Sequence, residues 1–149
     1  MRNDLARLLT AMVVLVSGGA LEELLPKPWG CGFPLLLSAV LAVVPRRETV
    51  GAVLFAIAAG AVEDALSSLP FAVSVAYFAA TAALVRGYAP GRWAGLLAFP
   101  LFQLWLACWG QVPDGAIFTR LLVSVPVGAA ACAAVEAAVG WLDRRAVVA

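Results

Sequence analysis

The chain has 149 residues, of which 64% are apolar and 13% charged, with a formal net charge of +1 and no histidine. A globule this small lacks the polar side chains to cover a water-facing surface, so the composition points to a membrane protein and away from a soluble domain. So balanced a charge gives no footprint for nucleic acid, and the missing histidine removes His-based acid–base catalysis, Ser–His–Asp triads and His-ligated metals.

The apolar runs predict an all-α fold of six membrane-spanning helices. Helix one is expected near Leu5–Leu25. Its start, Arg2 and Arg7 before Leu8 to Val16 and then Ser17-Gly18-Gly19-Ala20, has the form of a secretory signal, but in a chain embedded throughout an uncleaved first span is the simpler reading. Helix two is expected over Trp29–Val44, ending at Pro45. Its uninterrupted core from Phe33 to Val44 is about 12 residues, a length also seen in re-entrant segments. A re-entrant segment would leave Arg46 and Arg47 outside, so a crossing is expected.

Helix three is expected over Thr49–Asp64, with Ala52, Ala56, Gly60 and Asp64 recurring every four residues as a small-residue packing face. Helix four, Ser67–Val85, carries Ser67, Pro70, Ser74, Tyr77 and Thr81 on one stripe, whose hydroxyls call for partners inside the bundle. Helix five, Arg92–Gly110, gathers Phe99, Phe102, Trp105 and Trp109 on one face. That face is either a lipid-facing aromatic surface or a ridge on which another membrane helix docks. Gln103 reads as interhelical glue. Helix six, Phe118–Trp141, is lined with small residues from Gly128 to Ala134. Pro100 and Pro126 fall inside helices five and six, where kinks are expected.

Six helices of about 20 residues use about 120, which leaves one transmembrane domain over residues 1–149 with no linkers. Orientation follows from the basic residues. Arg2, Arg7, Arg46, Arg47, Arg86, Arg92, Arg144 and Arg145 fall on one side, and Lys27 with Glu22, Glu23, Glu63, Asp64 and Asp114 on the other. Lys and Arg resist translocation, so both termini are expected in the cytoplasm of a multi-pass protein of the bacterial inner membrane. Trp29, Trp93, Trp109 and Trp141 at span ends fit interfacial anchors.

Ionisable groups near hydrocarbon each cost several kcal/mol unless paired or wet. Glu63 and Asp64 end helix three at the depth where Arg120 begins helix six. They form either a structural salt bridge or a proton- or cation-binding pair. Glu136 is expected to reach the inner interface or to pair with Arg86 or Arg92. Cys31 and Cys108 both fall near the outer face, where a disulfide between them is open though the sequence does not place them within bonding range, and Cys132 reads as a small packing residue. No Cys-x-x-Cys, phosphate loop or catalytic set is present, so no enzyme, metal or cofactor is expected.

The run Gly60-Ala61-Val62-Glu63-Asp64-Ala65-Leu66-Ser67-Ser68-Leu69-Pro70-Phe71 resembles the signature of the rod shape-determining protein MreD family. That signature is Gly-x-x-x-Asp, a Leu/Ser stretch and a proline before the next span. Pro34 at the opening of helix two and the two arginines after it look like the same family, as do length and topology. Ala72 departs from it, since the family usually has glycine two residues after the proline.

The resemblance implies a non-enzymatic inner-membrane scaffold of the cell-elongation, peptidoglycan-synthesis machinery. Such a protein would bind MreC, and through it support RodA and its penicillin-binding transpeptidase, with MreB on the cytoplasmic side. Its docking surface would be the aromatic ridge or the rim of Ser67, Ser68 and Pro70. The family also resembles the compact six-helix substrate-binding subunits of energy-coupling-factor vitamin transporters, and such a substrate-capturing subunit is the competing reading. Against it, helix one has Ala11 opposite Leu15 where those subunits carry an Ala-x-x-x-Ala docking pattern, and the outer loops are short for a lid. An ion-coupled carrier using Glu63 and Asp64 would need a second deep acid and an inverted repeat, neither of which is visible.

Overall fold

The structure is a computed structural model that describes residues 2–27, 32–67, 69–70, 72–88 and 93–148. Among these residues it is all-helical, with six α-helices and no strands. They are α1 (Arg2–Leu24), α2 (Leu35–Val43), α3 (Thr49–Leu66), α4 (Val73–Tyr88), α5 (Trp93–Cys108) and α6 (Ile117–Val148). Short 3-10 turns cover Val44–Arg46 and Asp114–Ala116.

Prolines account for the starts that differ from expectation. Proline has no N–H and pushes the residue before it out of the helical region, so a helix begins at or after it. Hence α2 begins behind Pro34, whose carbonyl accepts the Ser38 N–H at 2.9 Å and the Ser38 hydroxyl at 2.7 Å. Likewise α4 begins at Val73, beyond Pro70, and not at Ser67. Ser67 instead closes α3, with both its N–H and its hydroxyl donating to the Glu63 carbonyl. At the other end α5 stops in a left-handed Gly110 (φ 69°), the conformation glycine adopts without a Cβ penalty. No glycine or proline follows Trp141 within the helix, and α6 runs on to Val148.

The smallest helix is the hub. α2 and its 3-10 turn rise only about 20 Å, less than the roughly 30 Å of a hydrocarbon core. It packs against all five other helices and is buried nearly all round, from Leu36 through Val44 except Leu41. The other five turn apolar side chains outward: Met12 and Val16 on α1, Leu54 on α3, Leu84 on α4, Leu101 on α5 and Leu122 on α6 are all exposed.

Two helices, α3 over Thr49–Leu66 and α6 over Ile117–Leu142, are long and apolar enough to cross a membrane. Only 33% and 22% of these windows are buried. The core helix of a water-soluble protein has the opposite character, apolar because it is covered. α2 with its turn, α4 and α5 are apolar but shorter.

Candidate functional site

Along α3, Ala52, Ala56, Gly60 and Asp64 lie buried at successive four-residue steps, where side chains stack on one face. α4 lies against that face. A Cβ built on Gly60 would sit 2.5 Å from the Val75 Cα and 2.7 Å from its nitrogen, so backbone meets backbone and only glycine fits. One turn further on, Asp64 reaches the first turn of α4. The Ser74 N–H donates to its Oδ1 at 2.7 Å, and the Val75 N–H to its Oδ2 at 3.5 Å. The first amides of a helix have no partner within it and carry the positive end of its dipole, so a buried carboxylate there satisfies donors and charge together.

The chain between the two helices turns sharply. The Val73 N–H donates to the Pro70 carbonyl at 3.3 Å, and Ala72, third in that turn, takes φ 74°. Positive φ at this place is what a type II turn asks of glycine. Ala72 therefore occupies a glycine conformation with a methyl attached, at a cost of about 1–2 kcal/mol.

α5 then closes over α4. The Trp105 indole N–H donates to the Val73 carbonyl at 2.9 Å, and the Tyr77 hydroxyl donates to the Ala98 carbonyl. Phe102 packs on Tyr77 and Phe78 at ring separations of 5.0 and 5.6 Å. This corrects the expectation of an outward aromatic ridge. Phe99 and Phe102 are buried in the core and Trp105 is partly buried, because α5 is apolar but for Gln103 and its larger rings fill the interior. Trp109, stacked edgewise on Trp105 at 5.9 Å, stays exposed. Ser67 and Pro70, at the α3–α4 corner, are also exposed, and Ser68 lies outside the described residues.

The three ionisable residues expected at one depth take different roles. Asp64 turns to α4, whereas Glu63 and Arg120 line a cavity at the same end of the bundle. Glu63 lies beside Glu22, close enough for their carboxyls to share a hydrogen bond. Glu22 also accepts the Leu36 N–H at 3.4 Å, in the first turn of α2.

The two hairpins thus repeat one device: an acid at the end of the first helix reaches amides that open the next. The sequence reading missed Glu22. The signal was an acid ending one apolar run and a proline, Pro34 or Pro70, ahead of the next. The expected hydroxyl stripe on α4 reduces to Ser74, Tyr77 and Thr81, with Ser74 and Thr81 buried.

Elsewhere small residues set the contact between α5 and α6. A Cβ on Gly128 would meet the Phe99 Cβ at 2.9 Å, and one on Gly95 would meet the Cys132 sulfur at 3.3 Å. The Cys132 thiol donates to the Ser38 hydroxyl at 3.4 Å. Cys108 is exposed, and the pairing considered for it with Cys31 lies outside the described residues. Glu136 is exposed on α6 at the mouth of a groove shared with Ser38 and Cys132, and Arg86 donates to the Arg47 carbonyl. Arg92 lies outside the described residues. No group of three or more Asp, Glu, Cys or His side chains suited to a metal is found among the described residues.

No protein-family model, curated protein or solved structure matches the chain.

Proposed function

We propose that this chain is a six-span bundle of the bacterial inner membrane, with both termini in the cytoplasm, acting as a non-enzymatic scaffold of the MreD type. Its partner in this reading is MreC, through which it supports RodA and the penicillin-binding transpeptidase, with MreB on the cytoplasmic side. The observation that carries the reading is the α3–α4 corner. Gly60, Asp64 and Pro70, which carry the resemblance, act there as one device, and Ala72 holds the backbone conformation that suits the family's glycine. The outward apolar surface of five helices supports immersion in lipid, where apolar side chains are stable without a covering layer.

In lipid, two helices gain nothing by hiding apolar surface from each other, so docking depends on shape and polar contacts. With Phe99 and Phe102 inside, the candidate docking residues that remain exposed are Ser67, Pro70 and Trp109. Trp109 is the natural anchor, since large aromatics fitted into a partner commonly carry about 2 kcal/mol or more. In mild detergent, the wild type is expected to co-purify with MreC of the same organism, and Trp109→Ala to reduce the captured MreC about tenfold or more. A wild type that captures no MreC would remove the scaffold reading. The competing vitamin-capturing subunit finds less support. The cavity beside Glu63 measures about 150 Å³, against roughly 300 Å³ or more for sites that enclose drug-sized ligands.

A further inference from the structure

We propose that the groove between α5 and α6, backed by α2, docks one membrane-spanning helix of another protein, which carries a Lys or Arg near the cytoplasmic end of its span, opposite Glu136. This rests on the membrane reading above and names the chemistry of the partner, whichever protein supplies it.

α2 is buried from Leu36 through Val44 except at Leu41, and Leu41 lies in this groove. The groove is thus where the wall around the central helix stands open. It measures about 500 Å³, with Ser38 and Leu41 of α2 behind it, Gly95 of α5 on one side and Ala129 and Ala133 of α6 on the other. Side chains this small let a neighbouring helix bring its backbone close, and close packing drives association in lipid. Small residues alone do not choose the occupant.

Charge chooses it. Glu136 stands exposed at the mouth of the groove and makes no hydrogen bond or ion pair among the described residues. The other polar side chains of the groove do not answer it. The Cys132 thiol donates to the Ser38 hydroxyl, and that hydroxyl donates to the Pro34 carbonyl. One turn toward the C-terminus Glu136 meets only Val139 and Gly140. Arg86, expected beside it, donates to the Arg47 carbonyl instead.

Depth excludes a lipid headgroup. In the six-span bundle Trp141 marks the inner interface, and Glu136 lies about 7.5 Å deeper along α6. α6 runs inward from the outer face, and helical side chains tilt toward the N-terminus, so this carboxyl leans into hydrocarbon and away from cytoplasmic water. A lipid ammonium stays at the level of the headgroups. A Lys or Arg on a partner helix reaches the right depth, and each charge then answers the other.

The test places the whole chain in phosphatidylcholine vesicles, whose choline has no hydrogen-bond donor, with a synthetic helix as the probe. The probe has about 24 Ala and Leu residues, enough to span, and one Lys about six residues from one end. Energy transfer from the chain's five tryptophans to a coumarin on the probe is expected to saturate. Leu in place of the probe's Lys should weaken binding at least tenfold. So should Glu136→Gln or Ala133→Leu, both at exposed positions where the fold tolerates change. Glu136→Lys should bind a probe that carries Glu instead. Arg92→Gln, and Glu48→Gln at the exposed start of α3, should leave binding unchanged.

No saturable transfer, wild-type affinity in either groove variant or for the Leu probe, or a Glu probe that ignores Glu136→Lys would each overturn the proposal. So would displacement of the probe by phosphatidylethanolamine, which assigns the groove to lipid, or Glu136-dependent cross-linking of two copies, which assigns it to a second copy. Tenfold tighter binding in Arg92→Gln would also overturn it, since Glu136 would then be answered from within the chain. A chain that does not float with the vesicles after alkaline extraction would remove the membrane reading as well. A chain that floats and fails the binding test leaves that reading, and the scaffold reading, standing.

Discussion

Asp64 is a capping residue placed on a different helix from the one it caps. Its carboxylate is 4% exposed and satisfies amides of α4 that α4 cannot satisfy itself. Asp64→Ala leaves those donors buried and unpaired, at about 1–3 kcal/mol. Asp64→Ala is therefore expected to lower the thermal midpoint in detergent by several degrees, and by more than Glu63→Gln does. Equal, negligible shifts would count against the capping role. Ala72 works in the opposite sense. Its φ of 74° strains an alanine and not a glycine. Ala72→Gly is expected to stabilise the protein by about 1 kcal/mol, because the relief of left-handed strain exceeds the entropy glycine loses on folding. A fall in midpoint would show that the turn does not hold that conformation.

Between elements, the contact of α4 with α5 is sealed by rings. Phe102 fills the space over Tyr77 and Phe78, and the Trp105 indole holds the carbonyl of the residue that opens α4. Phe102→Leu with Trp105→Leu is thus expected to cost about 2–4 kcal/mol from lost packing and one lost hydrogen bond. Urea or thermal unfolding of the detergent-solubilised protein measures it. A double variant as stable as the wild type would return these rings to the surface.

The burial of Phe99 and Phe102 was not legible in the sequence. α5 is apolar but for Gln103, so periodicity has no polar face to set against the aromatic one. The face of α3 was legible, because Ala52, Ala56, Gly60 and Asp64 recur at a fixed four-residue step. The partner of Asp64 was not, since its donors are backbone amides of a helix whose start depended on how Pro70 shapes the turn. Hydroxyls can be read from a sequence; orphan amides appear only once helix ends are placed. The central position of α2 was likewise hidden. Its short apolar run has the length of a re-entrant segment, yet it packs against all five other helices and is buried nearly all round.

For the molecule as a whole, that enclosure is what would let so short a helix lie at membrane depth in the proposed six-span bundle. Non-helical backbone there is tolerated where protein surrounds it. The segment entering α2 runs past Pro34, which is buried, and its first turn is met by Glu22. The stretch from Lys27 to Arg46 can therefore cross the bilayer although, among its described residues, only Leu35–Arg46 is helical. In the proposed six-span bundle all later orientations depend on that crossing, as does the placement of Arg46 and Arg47 on the cytoplasmic side with the other arginines. The direct test is labelling of single cysteines, Lys27→Cys or Arg46→Cys, in a chain with Cys31, Cys108 and Cys132 replaced by alanine. A membrane-impermeant maleimide applied to intact spheroplasts is expected to label Lys27→Cys at once and Arg46→Cys only after the membrane is opened. Labelling of both from the same side would contradict the six-span bundle and every orientation derived from it.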